Sequence, residues 1–553
     1  MTTLTMPARR SQTDTWLLVL MLWHGLVAVA GAVAVYSTLT DMEGGMRFVV
    51  AGVIAALGVL SAAVVPLIHR RNHRGRVFSL VVNYLGFLAC VAMLLFFIGA
   101  FTGIDDLAQR FGRGLPFLLI AFLGYLVGSF GDRYEQYPQR QLRFQRIGRI
   151  IMLAGLGLFF LSLINIPGLP ALASQILQPV RLALLLGMLL FGGMFWVMWR
   201  QSTAEAMHAN NARSETLSGY LFLSPNFLGF LLFFAGPLLL SLYTSFTNSD
   251  ALGTRDWVGL DNYAKLLSMT FAQLSSPTQL AAEVINTKVY DELLRFTVFG
   301  NSFVVGTQDK LFWLSLRNTL LFCLITVPLS IIPALLVASI LNSKLPGMKV
   351  FRAIYFIPSV AAVVGVSLIW QWMYNAAVGW INYAITSGVD GVNQLTGLGI
   401  VDPQVRWLSS ADTALLSIAV MVAWQTIGFN TVLFVAGMQT IPKVLYEAAT
   451  VDGAGTWAQF RNVTLPLLAP TMVFVITTTL IQAFQVFEPI FIMTNPAGGP
   501  NNSTLSMVLY LYQNGFQRFR QGYASAIAWV LFLAIFAVTI IQFRRQRGGA
   551  YEA

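Results

Sequence analysis

Long apolar runs return twelve times along this chain, at roughly 16–38, 48–68, 78–101, 115–131, 150–167, 180–199, 219–246, 313–341, 350–374, 413–439, 469–494 and 523–543. About 20 apolar residues cross the hydrocarbon core of a bilayer. In lipid every backbone N–H and C=O must be satisfied within the segment, so such runs are predicted to be α-helices. The expected fold class is an all-α polytopic membrane protein with about twelve transmembrane helices. Charged residues make up only 10% of the chain, against about 25% in a soluble domain. Arg9-Arg10 precedes the first run, but that run of about 23 residues exceeds the usual 7–15 of a signal-peptide core, so it reads as a retained span.

Basic residues set the orientation. With the N-terminus in the cytoplasm, 21 of the 34 Lys and Arg fall in inner segments and seven in the short outer ones. The inner group includes Arg70, Arg71, Arg74 and Arg76, then Arg140, Arg143, Arg146 and Arg149. The positive-inside rule then predicts that both termini are cytoplasmic. The net charge of +11 belongs to an anionic lipid surface rather than to nucleic acid. Cys90 and Cys323 lie in apolar runs, and His69 and His73 in a basic loop, so no metal site is expected. No Gly-x-x-x-x-Gly-Lys-Ser/Thr phosphate loop is present. No HExxH or Ser/His/Asp pattern appears either, so no catalytic residue and no cofactor are assigned to this chain.

The polar segment 201–218 reads as a cytoplasmic linker between two six-span units, 1–200 and 219–545. The first unit carries no motif with assignable chemistry and reads as a scaffold or partner-docking unit. Gly31, Ala34, Gly52, Ala55, Gly155 and Gly157 are its candidate helix-packing positions. The outer loop 247–312 is too long for a simple turn. Alternating Phe296, Val298 and Val304 predict some β-structure in a small water-facing subdomain.

The segment from Tyr446 to Pro466, YEAATVDGAGTWAQFRNVTLP, lies between two spans on the inner side. Pro442 suits a helix start, and Val444 to Val451 reads helical. Asp452-Gly453-Ala454-Gly455 predicts a corner, because Gly tolerates positive φ. Thr456 with Gln459 three residues later predicts a capping box that restarts the helix. Leu465-Pro466 closes the element.

This pattern resembles the EAA loop of ABC importer permeases. Glu447-Ala448-Ala449 is followed by Gly453, then by Val463-x-Leu465-Pro466, with Val463 where the family more often has Ile. Further segments recur in the carbohydrate branch in the same order: GYLFLSPNFLGFLLFFAGP, WVGLDNYAKLL, RNTLLFCLITVPLS, FRAIYFIPSV and IMTNPAGGPNNST. The chain is similar to the maltose-type large permease subunit, with six rather than two spans before the core. The resemblance implies a type I importer core in the last six spans and a bacterial or archaeal cytoplasmic membrane. It implies that 441–466 couples to a separate ATPase dimer, which uses ATP and Mg, through Glu447, Ala448, Ala449, Asp452, Gly453, Leu465 and Pro466. It also implies a second homologous permease, an extracytoplasmic solute-binding protein and a sugar substrate.

Polar residues deep in spans default to functional candidates. In the eleventh run Thr478, Gln482 and Gln485 recur at helical spacing beside Phe484 and Phe487. Amides and a hydroxyl beside aromatic rings suit a sugar. Glu488, before Pro489, could bind sugar hydroxyls, reach the surface or bond a freed backbone group. The tenth run offers Trp424, Gln425, Thr426 and Asn430, and the ninth Ser367, Trp370, Gln371 and Tyr374. Each could instead make an interhelical hydrogen bond. Arg317 and Arg352 sit at span ends and are expected to snorkel. These three runs hold no Lys or Arg away from their ends, which favours a neutral oligosaccharide such as maltose or maltodextrin over a glycerol phosphate ester. A stand-alone secondary transporter would need a charge relay or inverted repeats, and neither is evident.

Overall fold

A computed structural model describes residues 12–42, 46–97, 104–131, 138–163, 178–209, 211–250, 253, 256–342 and 348–549. Arg9, Arg10 and the ends of the expected spans 78–101 and 150–167 lie outside them, as do single positions of the expected linker and outer loop. Among the described residues, eight helices are long and apolar enough to cross a membrane, or up to ten if two bent pairs each count as one span. Twelve were expected, and the shortfall is local. Gly114–Phe130 is apolar but short. The helix Pro138–Leu163 opens on Arg140, Arg143, Arg146 and Arg149, and such charges are costly inside a bilayer.

The chain divides into two compact units, Met1–Leu228 and Gly229–Ala553. The first contains α1 (Gln12–Asp41), α2 (Met46–His69), α3 (His73–Phe97), α4 (Ile104–Phe130), α5 (Pro138–Leu163) and α6 (Pro179–Trp199). The segment 201–218 is largely helical, with a short helix Gln201–Ala206 and the start of α7 (Asn211–Phe230). Leu20, Val64, Ile68 and Met198 centre the unit's apolar core. His24 is buried among polar groups at 2.8 Å, Ser61 on Nδ1 and Ser79 on Nε2. Ser61 spends its proton on the His24 carbonyl at 3.0 Å. Nδ1 must therefore donate to Ser61, and Nε2 accepts from Ser79, so the neutral ring is satisfied on both nitrogens. Between α4 and α5 the backbones nearly touch: a Cβ on Gly124 would lie 2.3 Å from the Met152 amide, and one on Gly155 would lie 2.5 Å from that of Ala121. Of the other expected packing positions, Gly31 faces Gly58 at 3.3 Å, whereas Gly52 and Gly157 face open space.

In the second unit α8 (Gly236–Ser245) leads to a three-stranded antiparallel sheet of β1 (Met269–Leu274), β2 (Asp291–Val298) and β3 (Asn301–Thr307), in the order β1-β3-β2. The register sets Phe296 against Phe303 and Phe271 against Val305. The expected β-structure of the outer loop is this sheet. β3 runs almost directly into α9 (Lys310–Leu341). Then come α10 (Met348–Val360), α11 (Val363–Met373), α12 (Ala414–Gln439), α13 (Lys443–Val451), α14 (Thr456–Gln459), α15 (Ala469–Phe484), α16 (Glu488–Met493) and α17 (Gln521–Gly549). Two apolar clusters hold these helices, one around Phe312, Phe322, Ile418 and Met421, the other around Ala334, Ala338, Phe434 and Leu468.

Asn430 ties three helices at the centre of this unit. Its amide donates to Ser330 of α9 at 2.9 Å and to Thr479 of α15 at 3.1 Å. Asn430→Ala takes this partner from the buried Thr479 hydroxyl, while Ser330 keeps the Thr426 hydroxyl at 2.8 Å. A cost of about 1 kcal/mol is expected, read as a fall of about 2–4 °C in the unfolding midpoint in detergent. Arg352, expected to snorkel, donates to the Leu341 carbonyl at 2.9 Å and so caps the end of α9.

Candidate translocation path and coupling element

The loop between α12 and α15 folds as two short helices at a corner. α13 starts after Pro442, which stands at the N-cap with φ −60. It ends in a Schellman motif: the Ala454 N–H donates to the Ala449 carbonyl at 2.9 Å and the Gly453 N–H to Thr450 at 3.1 Å. Gly453 has φ +77, the left-handed conformation that favours glycine. The expected capping box does not form. Gly455 is the N-cap of α14, and Gln459 turns back across the corner, donating to the Thr450 hydroxyl at 2.9 Å and the Ala454 carbonyl at 3.1 Å. The Tyr446 and Thr464 hydroxyls meet at 2.9 Å. These bonds brace the two arms as one body.

Glu447, Ala448 and Asp452 lie on exposed surface, and Ala449 is half-buried. Val444, Val451 and Trp457 are also largely exposed, an apolar face that a partner could cover. Leu465 and Pro466 sit where the chain bends by 69° into α15. Gln459→Ala removes the cross-corner brace while leaving both helices. Faster amide exchange across 450–460 is expected, by about fivefold for a loss of about 1 kcal/mol, with unchanged exchange in α12.

The second feature is a cleft of about 530 Å³ where two helix breaks converge. α10 and α11 meet at a 95° bend after Val360. α15 stops at Phe484 and the helix restarts only at Glu488. Ser359 and Val363 flank the first break and Gln485 and Glu488 the second, and all four line the cleft with Gln425, Thr426, Phe429 and Gln482. The Gln425 amide donates to the Ala361 carbonyl at 3.2 Å, which the first break frees. Non-helical backbone is tolerated at membrane depth where it lines a cavity. Glu488 lies in the first turn of α16, where the helix dipole favours a negative charge. Amides, two hydroxyls, a carboxylate and one aromatic ring can hydrogen-bond and stack on a polyol.

Of the sequence candidates, the structure thus brings Gln425, Thr426, Gln482, Gln485 and Glu488 together. The other seven do not line this cleft. The Thr478 hydroxyl is spent on the Phe474 carbonyl at 3.0 Å. Tyr374 is buried and donates to the Ser417 carbonyl at 3.0 Å. Trp370 packs between Tyr374 at 5.3 Å and Trp424 at 5.5 Å. Gln371 reaches the carbonyls of Ile492 and Met493 at 3.4 Å. Ser367 is fully buried and Asn430 serves the core. Phe484 is buried, and Phe487 stacks on Phe491 and packs at a tilt against Tyr512. The cleft's ring is instead Phe429, which sequence reasoning missed along with Ser359; Pro358 was the signal for a nearby break.

Residues 314–547 match the family model described as binding-protein-dependent transport system inner membrane component. The chain is 32% identical over 344 residues to YesP of Bacillus subtilis, named a probable ABC transporter permease protein, covering 62% of this chain and 94% of that one. It is 33% identical to the lactose transport system permease protein LacF of Rhizobium radiobacter, over 46% of this chain and 82% of that one. It is 31% identical to the arabinooligosaccharides transport system permease protein AraP of Bacillus subtilis, over 60% and 89%. A crystal structure of a bacterial ABC transporter for alginate import aligns with 60% of this chain and 96% of its own, at 19% identity and a TM-score of 0.45.

Proposed function

The chain belongs to the binding-protein-dependent transport system inner membrane components, the permeases of ABC transporters, and from that premise we propose that it conducts a neutral oligosaccharide into the cell. It is a multi-pass transport subunit, not an enzyme. The relatives named for lactose, for arabinooligosaccharides and for sulfoquinovosyl glycerol favour a glycoside as cargo. Among neutral oligosaccharides maltodextrin is our first candidate. A solute-binding protein delivers the sugar, and this chain and a homologous partner form the path. An ATPase pair using ATP and Mg closes against the element at 441–466, with both termini of this chain on the same cytoplasmic side.

One observation carries the reading. The middle of α12 and the far end of α15 line the cleft, and the coupling element joins the C-terminal end of α12 to the start of α15. A push on the element therefore reaches the walls of the cleft through two continuous helices. The cleft lining holds no Lys or Arg, so a phosphate ester would meet Glu488 with no compensating charge. Uptake of labelled maltodextrin, lactose and a glycerol phosphate ester into proteoliposomes holding the whole complex tests this. ATP-dependent uptake of a neutral glycoside is expected. Uptake of the phosphate ester alone, or uptake by this chain without ATP, would overturn it.

A further inference from the structure

The chain between α11 and α12 forms a cavity of about 780 Å³. The coupling element follows the C-terminal end of α12, so this cavity lies at the opposite end of that helix. About 17 Å of α12 separates Ala414 at its start from Gln425 of the transport cleft, at 1.5 Å per residue. The cavity and the cleft are therefore distinct. Asn382 joins three of the cavity's walls. Its amide donates to the carbonyls of Ala376 and Val405, each at 3.0 Å, and its oxygen accepts from the Trp407 indole at 2.8 Å. The Asn375 side chain accepts from the Ala377 and Val378 N–H groups at 2.9 and 3.1 Å, which winds the entry loop tightly. These bonds hold the cavity ready-made, and pre-organisation lowers the ordering cost of binding.

Two open aromatic rings line it. Trp380 is 74% exposed and Tyr383 69%. They stand three residues apart on the helix Trp380–Thr396, and so on one face. Nearby rings instead pack on each other, as Tyr374 does on Trp407 at 5.5 Å. Beside the open rings lie the Asp402 carboxylate, the Thr386 hydroxyl and the Gln404 amide. Thr386 donates to one Asp402 oxygen at 2.7 Å and the Gln404 N–H to the other at 3.1 Å. Each oxygen keeps acceptor capacity for a ligand hydroxyl. Gln404 has φ +36, uncommon for a residue with a side chain, and strain of this kind clusters at ligand sites. Among the described residues the lining holds no Lys or Arg, so an anion would meet Asp402 with no compensating charge. An aromatic belt at a lipid interface has no use for a carboxylate among its rings. Open ring faces with fixed acceptors beside them, in a cavity of this volume, suit a neutral glycan.

We propose that this cavity is a second carbohydrate site, which holds a neutral oligosaccharide apart from the transport cleft; the choice of ligand rests on the importer reading above. Trp380 and Tyr383 stack on the sugar rings, and Asp402 and Gln404 take their hydroxyls. Hydrogen exchange of the whole complex in lipid nanodiscs, with no binding protein added, tests this. The probes are maltoheptaose, lactose and arabinopentaose. At about 10 mM, at least one should slow exchange across 376–404 by about threefold, for a dissociation constant of about 5 mM. Trp380→Ala with Tyr383→Ala should abolish the slowing, and Trp380→Phe with Tyr383→Phe should keep most of it. Gln482→Leu with Gln485→Leu, which alters the cleft alone, should leave it intact. No slowing by any of the three sugars, in a complex that performs ATP-driven uptake, overturns the proposal and leaves the importer reading standing. Slowing by choline alone, or by transfer from amphipol to nanodiscs alone, overturns it in favour of a cation site or a lipid contact. A complex that neither imports a glycoside nor responds to one overturns both.

Discussion

Gly453→Pro is expected to abolish ATP-driven uptake while leaving the chain in the membrane at wild-type abundance. The native φ of +77 is closed to proline, which is held near −65°. Proline also removes the N–H that Gly453 gives to the Thr450 carbonyl at 3.1 Å. The corner then opens, and α14 no longer follows α13. No span depends on this corner, so insertion survives. Gly453→Ala separates backbone from bulk: a Cβ there meets nothing within 4 Å, so only the left-handed backbone is penalised, by about 1–2 kcal/mol. Partial uncoupling is expected, with ATP hydrolysis exceeding transport. Parallel assays of uptake and ATP hydrolysis in proteoliposomes read the difference. Full uptake by the proline variant would remove the coupling role from this element.

The second large effect falls on the cleft. Gln482→Leu with Gln485→Leu removes two side-chain amides that line it. Each hydrogen bond to a sugar is worth about 0.5–1.5 kcal/mol. The pair should therefore weaken cargo recognition by about 5–150-fold, seen as a raised half-saturation for uptake with unchanged basal ATPase. Thr478→Val is the matched control on the same helix. Its hydroxyl already bonds the Phe474 carbonyl, so a change of less than about twofold is expected. Equal losses in both variants would place the path elsewhere.

The contrast between Gln482 and Thr478 shows where the sequence was legible. Helical spacing placed Thr478, Gln482 and Gln485 together, and that holds only while the helix continues. α15 stops at Phe484, so Gln485 leaves the helix and keeps company with Glu488 instead. Breaks inside apolar runs are poorly marked, because hydropathy does not change across them. Only Pro358 and Pro489 hint at the two found here. The corner at Gly453 was legible because one residue type answers one backbone demand. The capping box failed for the opposite reason. Gln459 can reach either the N-cap backbone or the Thr450 hydroxyl, and tertiary packing chose the latter. Among the described residues, the expected spans 115–131 and 150–167 are not matched by a helix long and apolar enough to cross a membrane: one is a short apolar helix and the other opens on charged residues.

Affinity purification of this chain from its native membrane in mild detergent, with partners identified by mass spectrometry, tests the central claim most directly. The account predicts a second permease with an EAA loop and an ATPase with a phosphate-binding Gly-rich loop, both in stoichiometric yield. Repeated recovery of this chain alone, folded and in good yield, would contradict it.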